Sequence, residues 1–267
     1  MKIDYNFILN KVIELSLEAS KRVLEIYNGP IDVTIKSDDS PLTKADTEAH
    51  EIIVKGLSQL TPDVLIVSEE DTHQHYATSN TTLFWLVDPL DGTKEFINRN
   101  GEFTVNIALI ENGNPILGVV CAPPLGICYA GIVGKGAFKL NLDSPEIKTP
   151  IQVALKEAIQ NESILKVVGS RSHGDASIME SFLADYKKYE FVPAGSSLKF
   201  CQIAEGIAHL YPRFGRTMEW DTAAGQAVLM AAGGKVNLVD GTPLLYGKSE
   251  FENPHFIAEA FSMRVNR

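Results

Sequence analysis

The chain has 267 residues, 45% of them apolar, which is enough for a substantial core in one large or two small domains. A formal net charge of −10 excludes bulk attraction to nucleic-acid polymers or anionic membranes. An anionic substrate would need cations or a local basic patch to reverse the field at its site.

Ile8, Val12, Leu15, Ala19, Val23 and Ile26 recur at helical spacing, and Asn28-Gly29-Pro30 stops that helix. Residues 31–42 read as a polar loop, too polar to pack well. A second amphipathic helix then carries Ala49, Ile52, Ile53, Gly56, Leu57 and Leu60 inward, with Thr43 or Asp46 near its start. Short strands are predicted over Val64–Val67 and Leu83–Val87, and Phe103 to Ile110 alternates as a strand before the hairpin signal Asn112-Gly113.

Asn112 to Gly134 carries no charge and has the length of a membrane span. Its prolines and glycines break it into turns, so it reads as a buried β-meander with no transmembrane segment. Strands over Val119–Cys121, Cys128–Val133 and Ala137–Leu140 extend the sheet. Residues 141–163 are polar and make the best boundary, although Ile151 to Leu155 could add a strand. Two domains follow from this, over 1–145 and 160–267.

Beyond the boundary, strand and helix patterns alternate. The strands are Leu165–Val168, Phe191-Val192, Ala208–Tyr211, Lys235–Val239 and His255–Ala258. The helices are Asp175–Tyr186, Leu198–Glu205 and Asp221–Ala231. This is an α/β half behind an α+β half.

The three cysteines, Cys121, Cys128 and Cys201, are odd in number and form no C-x-x-C, and the N-terminus lacks the apolar core of a signal peptide. A cytoplasmic protein with buried free thiols is expected, with or without loose attachment to the inner face of a membrane.

The stretch with most chemistry in it is Trp85-Leu86-Val87-Asp88-Pro89-Leu90-Asp91-Gly92-Thr93-Lys94-Glu95-Phe96. An apolar strand runs into two carboxylates, and Pro89 should end its ladder because proline has no N–H to donate. Asp91 stands where a helix N-cap would stand, with free N–H groups behind it. Alone, this is an Asp-Pro turn and a cap. Three more acidic features change the weighing: Glu69-Glu70 after the strand at 64–67, Asp46 in Thr43-Lys44-Ala45-Asp46, and Asp221 in Trp220-Asp221-Thr222-Ala223-Ala224-Gly225.

Together these segments resemble the magnesium-dependent phosphomonoesterases of the inositol monophosphatase superfamily, over nearly the whole chain. The W-x-V-D-P-L-D-G-T-x-x-F run and the later W-D-x-A-A-G match its two hallmark motifs. The resemblance implies a layered αβαβα sandwich of the inositol monophosphatase/fructose-1,6-bisphosphatase type, with the site between two halves. It implies two Mg²⁺ ions, or three. Glu69, Asp88 and the Leu90 carbonyl would hold one, and Asp88, Asp91 and Asp221 the second, with Asp88 as the bridge. A third, weaker ion would lie near Glu69. Glu69 rather than Glu70 is the matching ligand. Paired cations roughly 3.5–4 Å apart serve in-line displacement at phosphorus. Thr93 and Asp46 match the water-activating pair, although Asp46 also reads as a plain helix cap. The N–H groups of Gly92 and Thr93 would hold the phosphate, and water would attack directly.

Three further segments resemble the CysQ-type 3′(2′),5′-bisphosphate nucleotidase subgroup: Asp39 to Asp46, Gly195 to Cys201, and Tyr211 to Thr217. The implied substrate is adenosine 3′,5′-bisphosphate, a by-product of sulfate assimilation, cleaved to AMP and phosphate. Its second phosphate needs donors away from the acidic cluster. Gly195, Ser196, Lys199, Arg213 and Arg216 lie in these segments, and Arg171 is a further candidate donor. Substrate contacts are thus expected from Glu69, Leu90, Asp91, Gly92, Thr93, Gly195, Ser196, Lys199, Arg213 and Asp221. The alternative is an inositol or other sugar monophosphatase with the same metal site, which would need fewer cations.

His73-x-His75 sits in a polar loop and reads as surface. Gly131 to Ala137 lacks Walker spacing, and Gly169 to His173 lacks a nucleophile elbow.

Overall fold

The computed structural model describes residues 4–36, 40–71, 81–155, 164–170, 176–184, 186 and 188–261. His73, His75, Asp39, Arg171, His173 and Asp175 lie outside the described residues.

Two helices open the chain. Helix α1 (Tyr5–Tyr27) is capped by Asp4, whose carboxylate accepts from the Asn6 and Phe7 N–H groups. Helix α2 (Lys44–Leu60) starts at Thr43. Between them the segment read as a polar loop pairs into a hairpin, β1 (Val33–Ile35) with β2 (Pro41–Thr43). Both its strands are too short to show an alternation in the sequence.

Seven strands form a sheet in chain order: β3 (Leu65–Ser68), β4 (Leu83–Asp91), β5 (Thr104–Glu111), β6 (Asn114–Ala122), β7 (Ile127–Ile132), β8 (Gly136–Asn141) and β9 (Ser144–Ile151). Only the β3–β4 pair is parallel. The β5–β6 turn uses Asn112 and Gly113 at φ 50° and 76°, the mirror-image turn that an Asn-Gly pair favours. Strand β9 lies inside the segment read as a polar boundary. As an exposed edge strand it has little apolar content to betray it, and Pro145, Lys148 and Pro150 are edge-strand residues.

The middle of this sheet is covered on both faces, and its strands are accordingly apolar throughout. Trp85, Val87, Ile107 and Leu109 point into the cluster with α1 and α2. Phe84, Leu86, Ala108 and Ile110 point into the other. Cys121 and Cys128, expected as free thiols, stand directly opposite each other on β6 and β7 and form a disulfide. Their pairing depends on strand register, which spacing alone does not reveal. Cys201 is a buried free thiol as expected.

A smaller sheet follows in the order β11 (Tyr189–Pro193), β10 (Leu165–Gly169), β12 (Leu210–Arg213), β14 (Phe256–Glu259), β13 (Lys235–Leu238). Helices α5 (Leu198–Ala204) and α6 (Glu219–Ala231) fill the space between the sheets. Helix α4 (Ala176–Leu183) lies in the chain between β10 and parallel β11 and packs Leu183 into the core. The result is the layered αβαβα sandwich expected. No helix among the described residues is long and apolar enough to cross a membrane.

Small residues set the spacing of the middle layer. A Cβ on Gly118 of β6 would stand 2.4 Å from the Ala224 carbonyl, and one on Gly225 would stand 2.6 Å from the Phe200 ring. The Ala-Ala-Gly of the second motif therefore lets α6 lie against strand and ring alike.

Candidate active site

Three chain segments deliver carboxylates to one point. Glu69 follows β3, and its N–H bonds to the Val87 carbonyl of parallel β4. Asp88 follows Val87 on β4, so adjacent strand ends place the two acids side by side. Asp221 sits in the first turn of α6, with Oδ2 accepting from the Met218 N–H at 2.8 Å. Among the described residues, oxygens of Glu69, Asp88 and Asp221 lie within 4.8 Å of one another.

Pro89 acts more subtly than a strand stop. Asp88 pairs with Asn106 and Asp91 with Thr104, so the ladder resumes after a bulge at Pro89 and Leu90. The bulge turns the Leu90 N–H onto Asp88 Oδ1 at 3.1 Å. The short helix α3 (Thr93–Ile97) is preceded by Gly92 at φ 94°, and Gly92 takes the N-cap position expected for Asp91. Asp91, freed from capping, ends β4. Its Oδ2 accepts the Ser197 N–H at 2.7 Å, with longer contacts from Thr104 Oγ1 (3.4 Å) and Asn106 Nδ2 (3.5 Å).

The electrostatics are those of an acid cluster in which Asp88 is buried and Glu69, Asp91 and Asp221 are half-buried. Burial, reinforced by Glu69, Asp91 and Asp221, holds the Asp88 carboxyl well above the usual range. Burial and then Asp91 push Asp221 up to about 8. Burial pushes Glu69 to about 7, against the pull of Lys36. Asp91 is also raised by burial, with Lys199 opposing. Asp88 Oδ2 is buried without a hydrogen-bond partner among the described residues. An all-oxygen donor set with a bare inward oxygen fits a hard divalent cation.

Asp46 is buried at the third position of α2 and works in two directions. Oδ2 accepts from the Thr43 N–H (2.7 Å) and Oγ1 (2.6 Å), which is the helix cap. Oδ1 accepts from Thr93 Oγ1 at 3.1 Å. One side chain thus caps the helix and also accepts the Thr93 hydroxyl. Burial raises its carboxyl despite these hydrogen bonds.

The basic side is built around Lys199, buried beneath the Tyr211 ring with Nζ 3.3 Å from the Ala194 carbonyl. Burial lowers it to about 8, with Asp91 opposing. Arg213 donates to Ser170 Oγ and the Arg216 carbonyl, both at 2.9 Å. Its Nε and the Ser196 Oγ are buried without partners among the described residues. Gly195 packs against Glu102, where a Cβ would meet the Glu102 backbone at 2.8 Å. Arg216 points away to an exposed pair with Glu252.

Three residues passed over in the sequence belong here. Lys36 reaches Glu70 at 2.7 Å and Glu69 at 3.4 Å. Ser197 and Asn106 bond to each other and to Asp91. Lys36 gave only a lone charge in a polar segment, and Ser197 only a second serine beside Ser196.

The inositol monophosphatase family model matches residues 4–263. The 3′(2′),5′-bisphosphate nucleotidase CysQ of Escherichia coli strain K12 is 48% identical, covering 93% of this chain and 98% of that protein. The protein of that name from Buchnera aphidicola is 44% identical, over 94% of this chain and 93% of its own. The crystal structure of CysQ from Bacteroides thetaiotaomicron superposes with a TM-score of 0.80 at 39% identity, covering 94% and 96% of the two chains. An inositol monophosphatase from Anabaena superposes at 0.72 with 23% identity, a likeness of fold. On fold, motifs and these matches, the chain belongs to the inositol monophosphatase family.

Proposed function

We propose that this protein is a magnesium-dependent phosphomonoesterase that removes the 3′-phosphate of adenosine 3′,5′-bisphosphate, giving AMP and phosphate. The observation that carries it is the meeting of Glu69, Asp88 and Asp221 within 4.8 Å, with the buried Lys199 and the half-buried Arg213 close enough to act on the neighbouring acids. The acids suit cations and a scissile phosphate, and the two basic residues suit an additional dianion. The similarity to CysQ nucleotidases favours the same substrate.

In this reading Glu69, Asp88, the Leu90 carbonyl, Asp91 and Asp221 would hold two Mg²⁺ ions, and a third, weaker one would lie near Glu69. Bound Mg²⁺ supplies Lewis-acid stabilisation of the charge on the phosphoryl and leaving oxygens. The chain's own part is proton handling and orientation. Thr93 Oγ1 takes a proton from the attacking water while passing its own to Asp46 Oδ1, a carboxylate whose burial makes it a better base. The Gly92 and Thr93 N–H groups hold the scissile phosphate at the start of α3. Lys199, Arg213, Gly195 and Ser196 hold the 5′-phosphate, and the bare Arg213 Nε and Ser196 Oγ are the donors best placed to turn to it.

Phosphate release should be measured side by side from adenosine 3′,5′-bisphosphate and inositol 1-phosphate, with Mg²⁺ present and after chelation. The nucleotide is expected to be preferred and chelation to stop turnover. Preference for the inositol ester would assign the protein to sugar phosphates.

A further inference from the structure

Ser197 bridges Asp91 and the helical turn that bears Asp221. Its N–H donates to Asp91 Oδ2 at 2.7 Å, and its Oγ donates to the main-chain carbonyl of Asp221 at 2.7 Å. The side chain of Asn106 donates to the same Oγ at 3.0 Å. Ser197 and Asn106 are each 1% exposed, so these bonds form out of water, where leaving them unmade is costly. Ser196, just before, is held at φ 44°, a left-handed turn that presents the Ser197 N–H to Asp91.

The geometry has a consequence for the acids. Asp91 ends a strand of the large sheet, and Asp221 begins a helix of the middle layer. Sequence separates Ser197 from them by 106 and 24 positions. Packing of small residues fixes the distance between strand and helix, but not the rotation of the first helical turn. The Asp221 carbonyl carries a second lone pair beyond the one that the helix uses. Ser197 occupies it and so ties the turn that bears the Asp221 carboxylate to the carboxylate of Asp91.

We propose that Ser197 is a positioning residue: a strut, backed by Asn106, that ties the first turn of α6, and with it the Asp221 carboxylate, to Asp91. The proposal rests on the reading of both acids as cation ligands. A serine hydroxyl is needed for it, because the bond to Asp221 uses Oγ while the bond to Asp91 uses the backbone and survives truncation.

Mn²⁺ binding to chelator-treated protein, followed by electron paramagnetic resonance, separates the possibilities. Ser197→Ala removes one oxygen from a buried site and keeps the N–H bond to Asp91. It should weaken the affected Mn²⁺ site about tenfold, as loss of a partner that orients a ligand does, and Ser197→Thr should recover most of that. Unchanged Mn²⁺ affinity in Ser197→Ala, even with a lower Tm, makes Ser197 a packing residue and overturns the strut. So does a threonine variant as weak as the alanine one when both keep the wild-type circular dichroism. Failure of the wild-type protein itself to bind Mn²⁺ is a different result, and it removes the cation reading along with the strut.

Discussion

Thr93 Oγ1 lies 3.1 Å from Asp46 Oδ1, although 47 positions separate the two in the chain. The same Oγ1 is 3.3 Å from the Leu90 carbonyl, so the hydroxyl is held between a carboxylate and an expected cation ligand.

From this pair, Thr93→Ala should lower kcat by roughly 10²- to 10⁴-fold, the usual worth of positioned proton transfer. Thr93→Ser should keep most of the activity. Steady-state kinetics on both variants, with circular dichroism to confirm folding, checks it. Equal losses in the two would point to packing by the threonine methyl.

The acid cluster makes stability depend on pH. Asp221 at about 8 and Glu69 at about 7 stand far above ordinary carboxyl values of 3.8 and 4.5. Their folded values are raised, so the folded chain holds more protons than the unfolded one between those limits. Stability must then fall as pH rises through about 7 to 8. In chelator, Tm should drop from pH 5.5 to 8.5, and saturating Mg²⁺ should reverse the drop by binding the ionised form. Asp88→Asn should flatten the slope, keep the fold and abolish turnover. A Tm that climbs with pH in chelator contradicts the assignment.

Lys199 is buried and holds no carboxylate partner at ion-pair distance among the described residues. On the proposed reading it serves the 5′-phosphate. Lys199→Met should raise KM for adenosine 3′,5′-bisphosphate roughly tenfold to a hundredfold, the worth of a hydrogen bond to a charged group. KM for a 3′-monophosphate should stay within about threefold, since that ester lacks the group Lys199 would meet. Parallel loss on both esters would mean that Lys199 instead supports Asp91.

Gly118→Ala tests how the middle layer presses on the sheet. The new methyl would stand 2.4 Å from the Ala224 carbonyl and 2.8 Å from the Ala227 Cβ, both in α6. Overpacking of this kind costs about 1–3 kcal/mol. Denaturant unfolding should show that loss. Because α6 carries Asp221, the Mg²⁺ concentration for half-maximal rate should rise as well.

Much of this arrangement is legible in the amino-acid order. The central strands read as apolar runs because both of their faces are covered, and the helices of the first half read from their spacing. The acids Glu69, Asp88, Asp91 and Asp221 stand out because each follows an apolar strand or opens a helix. The β1–β2 hairpin and edge strand β9 did not stand out, since neither has a face to bury. That Gly92 rather than Asp91 caps α3 is not legible there, because an aspartate before a helix is locally indistinguishable from a cap. The disulfide depends on register between neighbouring strands.

By itself, then, the sequence determined which residues could do chemistry, since side-chain type and local periodicity are carried by neighbours along the chain. Tertiary structure alone decided which of them meet. Asp91, Ser197 and Asp221 come from a strand, a loop and a helix, and only the packing of the helix layer between two sheets brings them together. Nothing in a local window records that packing, because its energy lies in contacts between segments far apart in the chain.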